Sequence, residues 1–289
     1  MTAVTIDTQV PKTPLYGPNV LLMGPSGTGK THAIGTLVDW AAANGKEVCV
    51  LFTENGLETL LGYWADKSMP VPTCLHWHQQ LTRPVSLANL IRAADDVGKL
   101  SYENITKMVD PNRSGANNSF HGILTSLSKF VDDRTGQDMG AADSWGLERI
   151  LVIDSLSELS NAAMKMQIGN KPTASPSDYG VAQNSLMNLL RLLTQGTKCT
   201  FVLTAHVDRE TDQVTQTTKL MVKAIGKALA GDIPPLFSDV IFTVREGDQF
   251  YWDTAAYGVD TKTRSLGYRS KLKPDFATIM DVWKKRGGA

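Results

Sequence analysis

Five short stretches, residues 19–23, 47–53, 149–153, 200–205 and 239–244, are rich in Val, Ile, Leu or Phe and show no polar alternation. A strand with one wet face alternates apolar and polar residues, whereas a strand covered on both faces reads as a continuous apolar run. The pattern therefore predicts a mainly parallel sheet buried between helices. Helical spacing appears at residues 31–44, closed by Gly45 in a C-cap position, and again at 86–98 and 120–132. A further helix is expected to open near Ser155. Strands that alternate with helices predict a three-layer α/β fold. Residues 249–254 follow the turn Glu246-Gly247-Asp248 and read as the second arm of a β-hairpin.

The turn-rich stretches 110–118 and 134–144 mark residues 81–145 as a helical insertion between two core strands. With 289 residues, the chain reads as one domain with an N-terminal arm (1–16), that insertion, and a C-terminal hairpin and basic tail (246–289). Segments 168–178 and 207–218 are polar and weakly patterned, on the side where α/β sheets bind ligands. No apolar run is long enough for a signal peptide or a membrane span, and Cys49, Cys74 and Cys199 form no C-x-x-C pair. These features point to the cytoplasm and away from a membrane. Lys plus Arg balances Asp plus Glu at 29 each, so a polyanion would have to be gripped by a local patch.

One motif carries specific chemistry. Gly24-Pro25-Ser26-Gly27-Thr28-Gly29-Lys30-Thr31 satisfies G-x-x-x-x-G-K-[ST], and it follows an apolar run and opens a helix. Its glycines allow backbone N–H groups to wrap phosphates at a helix N-terminus, a cradle that continues to His32. Lys30 is placed to reach the β- and γ-phosphates of ATP, and the Thr31 hydroxyl to ligate Mg²⁺.

The partner acid of that Mg²⁺ is expected at the end of another apolar strand, and Ile150-Leu151-Val152-Ile153-Asp154 supplies Asp154. Residue 155 is Ser, so no carboxylate directly follows Asp154 and the catalytic base must come from elsewhere. Glu54, which ends the strand at 48–53, is the favoured base, with Glu158 as its rival. Thr204-Ala205-His206 ends a further strand, where His206 could sense the γ-phosphate and pass hydrolysis on to segment 207–218. His76 and His78 share one face of a strand but have no third ligand, so they read as structural.

Lys219, Lys223 and Lys227 recur every four residues, which would align three cations on one helix face for DNA, or simply for solvent. From residue 260 onward, eight basic residues, among them Lys262 and Arg264, outnumber three acidic ones.

Taken in order, GPSGTGKT, LFTENG, ILVIDS, the Ser177-Asp178-Tyr179-Gly180 stretch, LTAH and residues 260–266 resemble the RecA-like P-loop ATPases. More narrowly, they resemble the short phage members that keep only the ATPase core and serve single-strand annealing or recombination. The resemblance implies a ring or filament of identical subunits with ATP at their boundaries, and Lys262 and Arg264 as fingers acting on a neighbour's γ-phosphate. It implies single-stranded DNA as the partner, faced by residues 160–180 and 207–220, and a single-strand binding protein as an accessory. A helicase or packaging motor core and a slow ATPase acting as scaffold or loader are the alternative readings of the same motifs.

Overall fold

The computed structural model describes residues 15–82, 86–98, 119–169, 174–211 and 218–288. Most of the N-terminal arm, the 110–118 stretch, and residues 170–173 and 212–217 of the two polar segments lie outside the described residues. All five apolar runs are strands of one sheet: β1 (Asn19–Met23), β2 (Glu47–Phe52), β4 (Arg149–Asp154), β5 (Thr200–Ala205) and β8 (Asp239–Glu246). The seven-stranded order is β3-β2-β4-β5-β1-β8-β9, where β3 is Leu75–Gln79 and β9 is Gln249–Asp253. Every pairing is parallel except β8 with β9, the expected hairpin.

Successive residues of a strand face opposite sides of a sheet, and the two cores divide on that period. Val20, Leu22, Val48, Val50, Phe52, Ile150, Val152, Val202 and Ile241 pack against α1 (Lys30–Ala43), α2 (Leu57–Ala65) and α8 (Phe276–Lys285). Leu21, Met23, Cys49, Leu51, Leu151, Ile153, Phe201, Leu203 and Val240 form the other core. That core is covered by α4 (Ser119–Ser128), α5 (Leu156–Ile168), α6 (Pro176–Arg191) and α7 (Gly226–Asp232). The architecture is thus the three-layer α/β P-loop fold. Among the described residues of the insertion, α3 (Leu87–Gly98) follows the predicted span, while α4 ends short of it because Phe130 and Asp132 turn back to bond Met139 and Gln137.

Two expectations fail. Residues 207–218 begin and end as strands, β6 (Val207–Thr211) paired antiparallel with β7 (Thr218–Val222) in a separate two-stranded ribbon. Lys219, Lys223 and Lys227 consequently share no helix: Lys219 lies on β7, Lys223 follows it, and only Lys227 is helical, on α7. The segment Thr-Lys-Leu-Met-Val pairs with β6 along its length, and Gly226 at φ +70° stops any helix from running back through it. Residues 160–168 belong to the helix expected to open near Ser155, and they and residues 176–180, which the resemblance casts as a DNA-facing loop, are helical; a Ser175–Asp178 capping box with Pro176 at the first turn starts α6.

His76 and His78 have their Nδ1 atoms paired with Asp132 at 3.1 Å and Asp133 at 2.8 Å. Among the described residues, no helix is long and apolar enough to cross a membrane. All three cysteines are free thiols, two buried and Cys74 half-buried.

Candidate nucleotide site

The order β2-β4-β5-β1 sets four carboxyl ends side by side at one sheet edge, the edge where open α/β sheets hold ligands. β1 runs into the loop 24–29, and α1 begins at Lys30. Gly27 at φ +73° and Gly29 at φ +80° supply left-handed backbone that a side chain would strain. Two neighbours hold the loop down. Thr28 Oγ1 lies 2.6 Å from Thr243 Oγ1 on β8, and the Phe250 ring of β9 presses on Gly29 so closely that a Cβ there would fall 2.7 Å from its Cγ.

Lys30 is 6% exposed, and its ammonium donates to the carbonyls of Gly24 at 2.9 Å and Pro25 at 2.7 Å. Burial lowers its pKa to about 8, against the opposing pull of Asp154 and Glu54.

Asp154 ends β4 and is 1% exposed. The Thr31 hydroxyl donates to its Oδ2 at 2.7 Å, and the Thr204 hydroxyl of β5 donates to its Oδ1. Burial pushes its pKa up; the two hydroxyls and the Lys30 charge oppose that, while Glu54 adds to it. Hydroxyl and carboxylate oxygens around one buried acid are the hard donors that suit Mg²⁺. Thr31 and Asp154 therefore have the donor chemistry that would suit the ion.

Glu54 follows β2 and meets His206, the residue between β5 and β6, with Oε1 3.5 Å from Nε2. The hydrogen bond to His206 leads the influences that hold its carboxyl below the usual range, helped by the His206 charge, Ser155 and Lys30 and opposed by burial. Glu54 is thus an ionised acceptor at neutral pH, on the same edge as Lys30 and Asp154. The rival Glu158, on α5, accepts instead from Asn161 at 3.0 Å.

The chain's residues 17–267 match the family model of the AAA domain. The chain belongs to the AAA domain family. As a P-loop ATPase domain of that family it is a nucleotide-binding protein, with the loop at residues 24–31 as its nucleotide cradle. Among solved structures it is similar to a KaiC-like protein from the hyperthermophilic archaeon Pyrococcus horikoshii. That match has 17% identity, covers 89% of this chain and 84% of that one, and has a TM-score of 0.38. No curated protein matches the chain.

The predicted site residues of the P-loop, with Glu54, Asp154 and His206, converge on this edge. His32 sits beside them, its ring 5.0 Å from Tyr63 and 5.7 Å from Phe250, and its pKa is lowered by burial and by the Lys67 charge. Lys262 and Arg264 do not converge there. The Lys262 ammonium donates to the carbonyls of Phe237 at 2.7 Å and Pro235 at 3.2 Å. Arg264 donates its backbone N–H to Asp239 at 2.9 Å. Because β8 runs parallel to β1 and begins at Asp239, both residues lie at the edge opposite their own P-loop. Lys219 and Lys227 are ion-paired with Asp260 at 2.7 Å and Glu210 at 2.8 Å.

Sequence reasoning missed the clamps Thr243 and Phe250, which no spacing links to the P-loop. It also missed Thr53, whose hydroxyl accepts from Ser155 N–H at 2.8 Å and donates to Ser155 O at 3.1 Å.

Proposed function

We propose that this chain hydrolyses ATP, with Glu54 as the base that takes the proton of the attacking water, and that it uses hydrolysis to control a grip on single-stranded DNA. The observation that carries the reading is the ionised Glu54 carboxylate, bonded to His206 on the edge that Lys30 and Asp154 share. The water oxygen attacks the γ-phosphorus, its proton passes to Glu54, and the bond to the β,γ-bridging oxygen breaks to leave ADP. Lys30 meets the charge that develops on the phosphoryl oxygens. Mg²⁺, held by Thr31 and Asp154, supplies charge neutralisation when bound.

The grip lies on the ribbon β6–β7. His206 leads directly into β6, and Lys223 N–H donates to His206 O at 2.8 Å, so a change at Glu54 reaches both strands. Arg209, Lys219, Lys223 and Lys227 are exposed cations of this region that could meet phosphate, Lys219 and Lys227 from within ion pairs. The position of Lys262 and Arg264 opposite their own P-loop supports a homo-oligomer in which these cations serve the triphosphate of a neighbouring copy. Annealing or recombination of the phage type is the activity that the motif order resembles, and a single-strand binding protein is its natural accessory.

The test is steady-state ATPase of wild type and Glu54→Gln with and without single-stranded DNA. Glu54→Gln should bind ATP normally and lose turnover by roughly 10²-fold or more, and wild type should be stimulated by DNA. Wild-type turnover in Glu54→Gln overturns the hydrolytic assignment, and a DNA-indifferent rate overturns the partner. Arg264→Ala mixed with Lys30→Ala should regain activity only if the finger acts across subunits.

A further inference from the structure

The strands of the site are ordered β2-β4-β5-β1-β8-β9, and Glu54, Asp154 and His206 each end or follow a strand on the β5 side of β1. A triphosphate held in the loop after β1 therefore directs its γ end to that side. Its nucleoside end is left with the other side, toward β8 and β9. There the hairpin outreaches the sheet. Met23, the last residue of β1, pairs with Phe242, so residues 243–246 of β8 run on past it alongside the P-loop. Arg245 and Phe250 stand opposite each other in the hairpin, on the face from which Thr243 reaches Thr28. The Phe250 ring rests on Gly29, the His32 ring of α1 lies 5.7 Å from it, and the Arg245 guanidinium stands 6.0 Å from its centroid. Both rings are partly exposed and Arg245 is exposed, whereas Trp252, two residues on and on the same strand face, is buried in the core. Burial first, and then the Lys67 charge, lowers the pKa of His32, so its imidazole is neutral at pH 7. Uncharged aromatic faces beside an exposed guanidinium are the chemistry on which a flat heteroaromatic ring stacks.

We propose that Phe250 and His32, closed over by Arg245, seat the nucleobase of the bound triphosphate and give this chain a preference for purine over pyrimidine nucleotides. The inference rests on the nucleotide cradle at residues 24–31 and adds base recognition to it. Stacking gains with the area of the ring laid down, so the larger purine is held more tightly than the smaller pyrimidine.

Titration calorimetry of the full chain with ATP, CTP and inorganic tripolyphosphate reads the base seat apart from the cradle, because tripolyphosphate carries the phosphates without a base. Wild type should bind ATP about fivefold or more tightly than CTP. Phe250→Leu keeps an apolar group against Gly29; it should weaken ATP by about 5- to 20-fold and tripolyphosphate by less than about twofold. His32→Ala and Arg245→Ala should each weaken ATP in the same direction by about threefold. Wild-type ATP affinity in Phe250→Leu overturns the proposal, as does equal affinity of wild type for ATP and CTP. A loss shared equally by tripolyphosphate overturns it too, since that marks a clamp on the loop alone. Lys30→Ala tests the parent reading and should lose both ATP and tripolyphosphate. If it binds ATP as wild type does, the cradle reading fails; if it loses both ligands while Phe250→Leu loses neither, only the present inference fails.

Discussion

Raising the pH should weaken nucleotide binding through Lys30, by an amount that follows from its lowered pKa of about 8. Burial brings this ammonium from its ordinary 10.5 to about 8, so the free protein loses the charge progressively above that pH. A bound triphosphate places several negative charges against the same nitrogen and keeps it protonated. Binding then takes up a proton, and the apparent dissociation constant grows as one plus ten to the power of pH minus pKa. Between pH 7 and pH 9.5 this amounts to about thirtyfold, or about 2 kcal/mol, with a limiting slope of tenfold per unit. The sign follows from the direction of the shift: a lowered lysine pKa removes the cation as pH rises, and affinity falls with it. Titration calorimetry at pH 8.5 in buffers of different ionisation enthalpy should register uptake of about three-quarters of a proton per nucleotide. Phosphate groups titrate near pH 6 and are silent in this range. An affinity that stays flat from pH 7 to 9.5, with no proton taken up at pH 8.5, would refute the reasoning.

Gly29→Ala forces φ +80° on a side-chain residue and drives its Cβ to 2.7 Å from the Phe250 ring. It should lower stability by about 2 kcal/mol in thermal melts and abolish nucleotide binding, with Phe250→Ala relieving only the clash. Thr204→Val removes one of the two hydroxyls on the buried Asp154 carboxylate. It should cost about 1–3 kcal/mol of stability in denaturant titrations, a loss that Thr204→Ser avoids. Lys219→Glu breaks the half-exposed pair with Asp260 beside the Leu220 N–H to Gly258 O bond. The change is worth only about 0–1 kcal/mol globally. It should nonetheless speed hydrogen exchange at the Leu220 amide, and Asp260→Lys in the same chain should restore protection.

What the sequence makes legible follows from the period of burial. β1, β2, β4, β5 and β8 are covered on both faces, so each appears as an uninterrupted apolar run, and the chemistry that follows each run lands on one edge because the strands are parallel. Asp154, Glu54 and His206 were readable for that reason. The ribbon β6–β7 was not, because its exposed strands carry Arg, Glu, Thr and Lys in a pattern that an every-fourth lysine count turns into a helix. The short reach of α4 was hidden too, since it is set by pairing of Phe130 with residues 139–140. Contacts across the sheet, such as Thr28 with Thr243 or Thr53 with Ser155, join residues 215 and 102 positions apart and depend on register, which local spacing does not encode.

The same register explains why the site forms as a unit. β4 lies between β2 and β5, so Asp154 has Glu54 on one flank and Thr204 on the other, and β1 beyond β5 brings Thr31 back to the same carboxylate. A slip of one residue in β4 would turn Asp154 to the other face of the sheet and separate it from both hydroxyls. Glu54 and Asp154 are then two acids held at one edge with opposite fates: desolvation raises the fully buried one, which two hydroxyls and an ammonium must compensate, while His206 lowers the half-exposed one. A site in which one carboxylate is kept for a cation and its neighbour for a proton requires that division. The fold achieves it by burying Asp154 in the middle of the sheet and leaving Glu54 at the turn that follows β2.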